Sequence, residues 1–316
     1  MLIGIIGYGS IGDRHCRNLL AHQVELVVLT KRQDVAGVPV VHSWGNFRKR
    51  GPFDAIFIAN ETYKHVETIR KCLPLKPRAL FVEKPVSHTL KGLAPMEAIL
   101  QQRNISCWVG YNLQFFKPLQ RIKNILDNGR LGKLYSLRVS VGQDLREWRK
   151  RDHRVSYSSG AGKGGGVMLD LIHDINYPAW LLGEPLHPVA ALVKRVSTLQ
   201  VKAEDCAESL LCTHSGVLVS VHQDYVRIPD KRSLEIVAER GTLEWNTLTD
   251  TIQLWVGKKY TKENVAVDRN DMYKAEISLF LKKLKSGRYF SNMAEAVRDV
   301  QLIDSLKKYE KFHTRR

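Results

Sequence analysis

A chain of 316 residues is long for a single hydrophobic core, so two domains are expected. Apolar residues at 44% and charged residues at 26% lie near globular averages, with no repeat period, no low-complexity tract and no apolar run of the roughly 18 residues that a membrane span needs. Lysine and arginine outnumber aspartate and glutamate by 49 to 32, a formal charge of +17. Their short runs at 48–50, 146–154 and 307–316 carry no zinc-finger or recognition-helix signature, which speaks against nucleic acid and for a phosphorylated cofactor, an anionic substrate and a solvated basic surface.

The chain opens with a short apolar run, 2–6, which reads as a strand with no basic leader before it. The turn Gly7-Tyr8-Gly9-Ser10-Ile11-Gly12 follows, then a helix over 13–21 and a strand over 25–29. That order gives the G-x-G-x-x-G pattern its meaning as a dinucleotide site. Gly7 permits the tight turn, Gly9 lets the backbone approach a pyrophosphate, and Gly12 lets helix and strand pack closely. Where a carboxylate would select NAD, the second strand ends in Thr30-Lys31-Arg32; a hydroxyl and two cations suit a ribose 2′-phosphate, so NADP is preferred over NAD.

Apolar runs at 55–59 and 79–82, alternating with helices at 65–72 and 90–102, read as buried parallel strands. A last strand at 106–109 closes a doubly wound N-terminal domain, residues 1–109. The strand at 79–82 ends in Glu83-Lys84-Pro85, placing Lys84 at the carboxyl edge of the sheet, where ligands bind. A lysine there can stabilise a developing alkoxide; a surface ion pair with Glu83 is the plainer alternative.

Residues 110–316 read as an α+β domain. Helices are expected at 118–128, 273–285 and 294–309, with strands at 135–144, 189–196, 209–213, 217–225, 233–238, 241–246 and 253–256 joined by short turns into an open, mainly antiparallel sheet. One face would cover a helix over 167–182; the other suits a homodimer or homotetramer interface. Asp170 and His173, three apart, would share a face of that helix, the carboxylate orienting the imidazole for general acid–base work. A core histidine satisfied by Asp170 or Asp174 is the alternative. The basic, glycine-rich stretch before it, with Arg149, Arg151, Arg154 and Tyr157, could clamp a phosphate or carboxylate; a mobile surface loop is the plainer alternative. Five cysteines, Cys16, Cys72, Cys107, Cys206 and Cys212, form no C-x-x-C pair, so no disulfide framework, no metal site and a reducing, cytoplasmic compartment are expected.

These ordered motifs resemble the glucose–fructose oxidoreductase, inositol dehydrogenase and rhizopine-catabolism (GFO/IDH/MocA) oxidoreductases over nearly the whole chain. The resemblance rests on the glycine turn, on Ala59-Asn60 followed by His65, on Glu83-Lys84-Pro85, on Gly110-Tyr111-Asn112 leading to Pro118, and on Gly164-Gly165-Gly166 leading to Asp170 and His173. It implies cofactor contacts from Ala59, Asn60, His65, Glu83, Lys84 and Asn112, substrate contacts from Tyr111, Asp170, His173 and Asp174, and catalytic roles for Lys84, Asp170 and His173. Two departures stand out: the Asp-to-His spacing is one residue shorter than usual, and Gln114 and Asn176 replace a common Arg and Asp. The implied activity is reversible hydride transfer between NAD(P) and a secondary alcohol of a sugar, nucleotide-linked or acidic amino sugars included. A redox-elimination glycosidase and a non-catalytic dinucleotide sensor of the same fold remain alternatives.

Overall fold

The computed structural model describes residues 1–33, 35, 37–148, 158 and 160–313, and the chain divides into two units. The first comprises Met1–Asn112 and Tyr273–Val300. Its strands are β1 (Leu2–Ile6), β2 (Glu25–Leu29), β3 (Val40–Val41), β4 (Ala55–Ile58), β5 (Ala79–Glu83) and β6 (Ser106–Gly110), all parallel, in the order β3-β2-β1-β4-β5-β6. That is the doubly wound dinucleotide-binding order. The strand interiors are apolar because helices α1 (Ser10–Leu20), α2 (Trp44–Arg50), α3 (His65–Cys72) and α4 (Met96–Gln102) leave them buried on both faces.

In this core Phe57 of β4 and Phe81 of β5 stack at 4.5 Å, and Phe280 meets both edge-on at 5.3 and 5.5 Å. Phe280, with Ile277, Leu281 and Leu284, belongs to α8 (Asn270–Ser286), so residues 273–300 join the first core rather than the C-terminal one expected from a single boundary after residue 109. The helix expected over 90–102 is shorter. Gly92 has φ +72° and Pro95 precedes the first helical residue, Met96, so the leading residues form turns instead. Also unforeseen were β3 and α2, the latter begun by Ser43, whose Oγ accepts from Asn46 N.

The second unit comprises Leu113–Met272 and Gln301–Arg316. It contains α5 (Lys117–Asp127), β7 (Leu134–Gly142), α6 (Val167–Asp170), α7 (His173–Leu182), β8 (His187–Lys194), β9 (Cys206–Cys212), β10 (Leu218–Asp224), β11 (Lys231–Ala238), β12 (Gly241–Asn246), β13 (Thr251–Val256) and β14 (Lys259–Asn264); α9 (Met293–His313) ends the chain. The sheet runs β14-β13-β12-β11-β7-β10-β9-β8, antiparallel except where β7 and β10 pair in parallel. Burial alternates along β9 and β10, as in a sheet with one covered face. β14 is exposed at every residue and carries no such alternation, which is why it escaped the sequence reading. Among the described residues no helix is long and apolar enough to cross a membrane.

Candidate active site

The glycine turn is built by steric exclusion. Gly7 has φ +95°, and a Cβ there would meet the Asn60 nitrogen at 2.6 Å and the Ala59 carbonyl at 2.7 Å; one on Gly12 would collide with the Gly7 carbonyl oxygen. A Cβ on Gly9 would meet nothing within 4 Å. Gly9 also begins α1 without a side-chain cap, so the leading amides at Ser10 and Ile11 present the donor-rich end of a helix at an open spot. Two buried amide oxygens, Asn60 Oδ1 and Asn112 Oδ1, find no hydrogen-bond partner among the described residues. An orphan acceptor costs about 1–3 kcal/mol unless a ligand satisfies it. The open Gly9 and these orphan oxygens fit a bound dinucleotide.

At the far end of this turn Tyr8, Thr30 and Arg32 come together. The Tyr8 hydroxyl donates to Asp13 at 2.8 Å; burial, then that bond, pushes the phenol up to about 12. The Arg32 guanidinium lies 5.8 Å from the Tyr8 ring centre, and the Arg32 amide donates to Thr30 Oγ1 at 3.2 Å. His42, which sequence reading passed over, donates from Nδ1 to the Thr30 carbonyl at 2.8 Å. Lys31 is exposed beside them.

His65 is a brace. Its buried ring faces the Pro85 carbonyl at 2.9 Å and the Asn60 carbonyl at 3.0 Å, tying the loop after β4 to the loop after β5, and burial holds its imidazole below the usual range. Asn60 Nδ2 donates to Thr68 at 2.9 Å. Ala59 is buried beside it. Glu83 ends β5 and accepts from His15 Nε2 at 2.5 Å; Lys84 follows immediately and is half-buried. Tyr111 is buried with its hydroxyl donating to Asp299 at 2.6 Å, and burial, then that carboxylate, raises the phenol well above its ordinary value.

In the second unit the helix expected over 167–182 is two. Asp170 ends α6 and His173 begins α7, so the two do not share a face of one continuous helix. The break has a local cause: Asp174 N donates to Leu171 O and Ile175 N to Ile172 O, bonds of 3₁₀ spacing, while Gln223 Nε2 donates to the Leu171 carbonyl at 2.8 Å. Asp170 accepts from the buried Tyr225 hydroxyl at 2.6 Å, and the Trp148 ring stands edge-on to Tyr225 at 5.8 Å. Asp174, fully buried, accepts a bidentate pair from Arg232 Nε and Nη2 at 2.8 and 2.9 Å. The two unusual amides meet: Gln114 Nε2 donates to Asn176 Oδ1 at 3.0 Å. Arg149, Arg151, Arg154 and Tyr157 lie outside the described residues. Among the described residues no group of three or more His, Cys, Asp or Glu is placed to hold a metal ion.

Residues 1–111 match an oxidoreductase family with an NAD-binding Rossmann fold, and residues 119–244 match the GFO/IDH/MocA C-terminal domain. The chain belongs to the GFO/IDH/MocA oxidoreductase family. It is an enzyme, an NAD-binding oxidoreductase. This GFO/IDH/MocA chain is 25% identical over 311 residues to myo-inositol 2-dehydrogenase of Thermotoga maritima, covering 91% of its own length and 89% of the relative's. With inositol 2-dehydrogenase 2 of Saccharopolyspora erythraea it shares 28% identity over 239 residues, 70% of this chain and 66% of that one. Its fold matches an Agrobacterium radiobacter oxidoreductase solved with NAD+, L-tartaric acid and magnesium, at a TM-score of 0.86 and 18% identity over 98% of this chain and 96% of that one.

In this family member His15, Tyr225 and Arg232 escaped sequence reasoning. Each lies at least 55 residues from the carboxylate it serves, 68 for His15, 55 for Tyr225 and 58 for Arg232, and no local pattern announces such pairs.

Proposed function

We propose that this enzyme moves a hydride reversibly between a nicotinamide cofactor and a secondary-alcohol carbon of a sugar or polyol. The observation that carries the reading is Lys84, one residue past β5 at the carboxyl edge of a doubly wound sheet, where such folds bind their ligands. The two inositol dehydrogenases to which the chain is similar support an alcohol of this class.

When bound, the cofactor supplies the hydride acceptor at nicotinamide C4; the rest is done by the chain. The glycine-turn amides would hold its pyrophosphate, and Asn60 and Asn112 would offer it their orphan oxygens. His173 takes the hydroxyl proton in oxidation and returns it in reduction. Lys84 places a positive charge against the oxygen that becomes alkoxide-like. Asp170, held by Tyr225, would orient His173.

The adenosine end favours NADP. Thr30, Lys31 and Arg32 stand where a carboxylate would repel a 2′-phosphate, and Arg32 lies over Tyr8. Arg149, Arg154 and Tyr157, with the +17 charge, favour an anionic sugar. The outward face of the β7–β14 sheet, with Leu192, Leu210 and Leu218 more than half exposed, favours a homodimer or homotetramer, and the cysteine usage favours the cytoplasm.

The test is nicotinamide absorbance with NAD+ and NADP+ against a panel of neutral, phosphorylated and acidic sugars and polyols. Turnover is expected, and Lys84→Met should lower kcat on the order of 10²–10³-fold with cofactor affinity retained. Undiminished turnover in Lys84→Met would contradict the role of Lys84.

A further inference from the structure

One buried polar cluster of the first unit has no task in that mechanism. His15, on α1, is fully buried, and its Nε2–H donates to Glu83 Oε1. The imidazole is caged edge-on by Phe81, Phe57 and Tyr273 at 5.0, 5.4 and 6.3 Å. Its Nδ1 meets no partner among the described residues, so its polar contact there is with Glu83. The other charged or titratable groups on this side come from α1 and α8. Arg14 stacks over the Tyr273 ring at 4.5 Å, and Glu276 accepts from Trp108 Nε1 at 3.1 Å. Burial raises the Glu276 carboxyl well above its usual range, and the charge of Glu83 adds to the effect.

We propose that His15 is a positioning residue for Lys84. The inference rests on the reading of Lys84 given above. Glu83 is the last residue of β5 and Lys84 is the first residue past it, so pinning the Glu83 carboxylate fixes the end of the strand from which the Lys84 side chain departs. Room for the pin is provided by the neighbouring strand, because a Cβ on Gly110 would press on the Phe81 ring at 3.1 Å and on Glu83 Oε1 at 3.3 Å. The helix that supplies the pin is also the helix whose first turn carries the glycine amides. The dinucleotide turn and Lys84 therefore take their positions from one rigid element. Without the His15 donor, the Glu83 carboxylate must find another partner, and beside Arg14, which is held over the Tyr273 ring, the adjacent Lys84 ammonium is the nearest along the chain. An ion pair there would hold the lysine charged to higher pH and draw it from its task.

The experiment compares wild type with His15→Leu, which has no donor, and His15→Gln, whose amide can still reach Glu83. Lysines are dimethylated with ¹³C-formaldehyde, and the Lys84 signal, assigned by its loss in Lys84→Arg, is titrated by NMR; NAD+ affinity and kcat on the best substrate of the sugar panel are measured alongside. The expected result is a Lys84 midpoint raised by roughly 0.5–1 pH unit in His15→Leu and restored in His15→Gln. In parallel, kcat should fall on the order of 10–100-fold in the leucine variant only, with NAD+ affinity held. A loss of packing alone would move the melting temperature without moving the Lys84 midpoint. Should His15→Leu fail to fold, His15→Asn, whose amide is too short to reach Glu83, takes its place. An unshifted Lys84 midpoint overturns the clamp whatever Lys84 does. Full turnover in Lys84→Met overturns the catalytic reading instead, and the titration still reads the clamp.

Discussion

Asp174 and Arg232 show what a buried charge requires. The carboxylate has no solvent exposure, and the guanidinium meets it with both prongs. Removing one partner strands the other, so Asp174→Ala should lower unfolding stability by about 3–5 kcal/mol, whereas Asp174→Leu with Arg232→Met should recover most of that loss; a chemical-denaturation double-mutant cycle measures both, and additive losses would contradict the pairing. Asp174 was legible as a polar residue in an apolar run, but its partner was not, because Arg232 lies 58 residues on, in β11. Gln114 and Asn176 make the same point from the other side. Each reads in the sequence as a separate departure from the family pattern, and the structure joins them in one hydrogen bond between neutral amides.

At the scale of elements, the parallel strands other than β3 were readable because each is a short apolar run that gives way to a glycine, polar or charged turn. The break between α6 and α7 was not, because the segment from Val167 to Leu182 is buried on nearly every side, polar residues included, and no helical stripe fixes its register. Strand pairing carries its own test in His222 of β10, which bridges Glu208 of β9 at 2.5 Å and Asp224 at 2.9 Å. The Asp224 bond raises the imidazole pKa, burial opposes it, and the Glu208 bond adds to the rise. A folded-state pKa above the unfolded value of about 6.5 gives stability that is fully present below that pH and is lost as pH climbs through the folded midpoint. The melting temperature of wild type should therefore exceed that of His222→Gln most at about pH 5.5, the gap narrowing toward about pH 8.5. A gap that does not vary with pH would contradict this bridge.

For the whole molecule, division into two units was foreseeable from length, whereas the return of residues 273–300 to the first unit was not. Phe280 and Leu284 are apolar enough for either core, and only packing into the cluster of Phe57 and Phe81 decides between them. The proposed reaction passes a hydride directly from a substrate carbon to the cofactor. The most direct measurement uses the sugar or polyol that the panel selects, deuterated at its secondary-alcohol carbons, with the reduced cofactor examined by mass spectrometry. The account predicts one deuterium on the nicotinamide ring, none from heavy water when the unlabelled alcohol is used, and loss of the labelled product in Lys84→Met. Reduced cofactor without the label, or no reduced cofactor from any member of the panel, would contradict it.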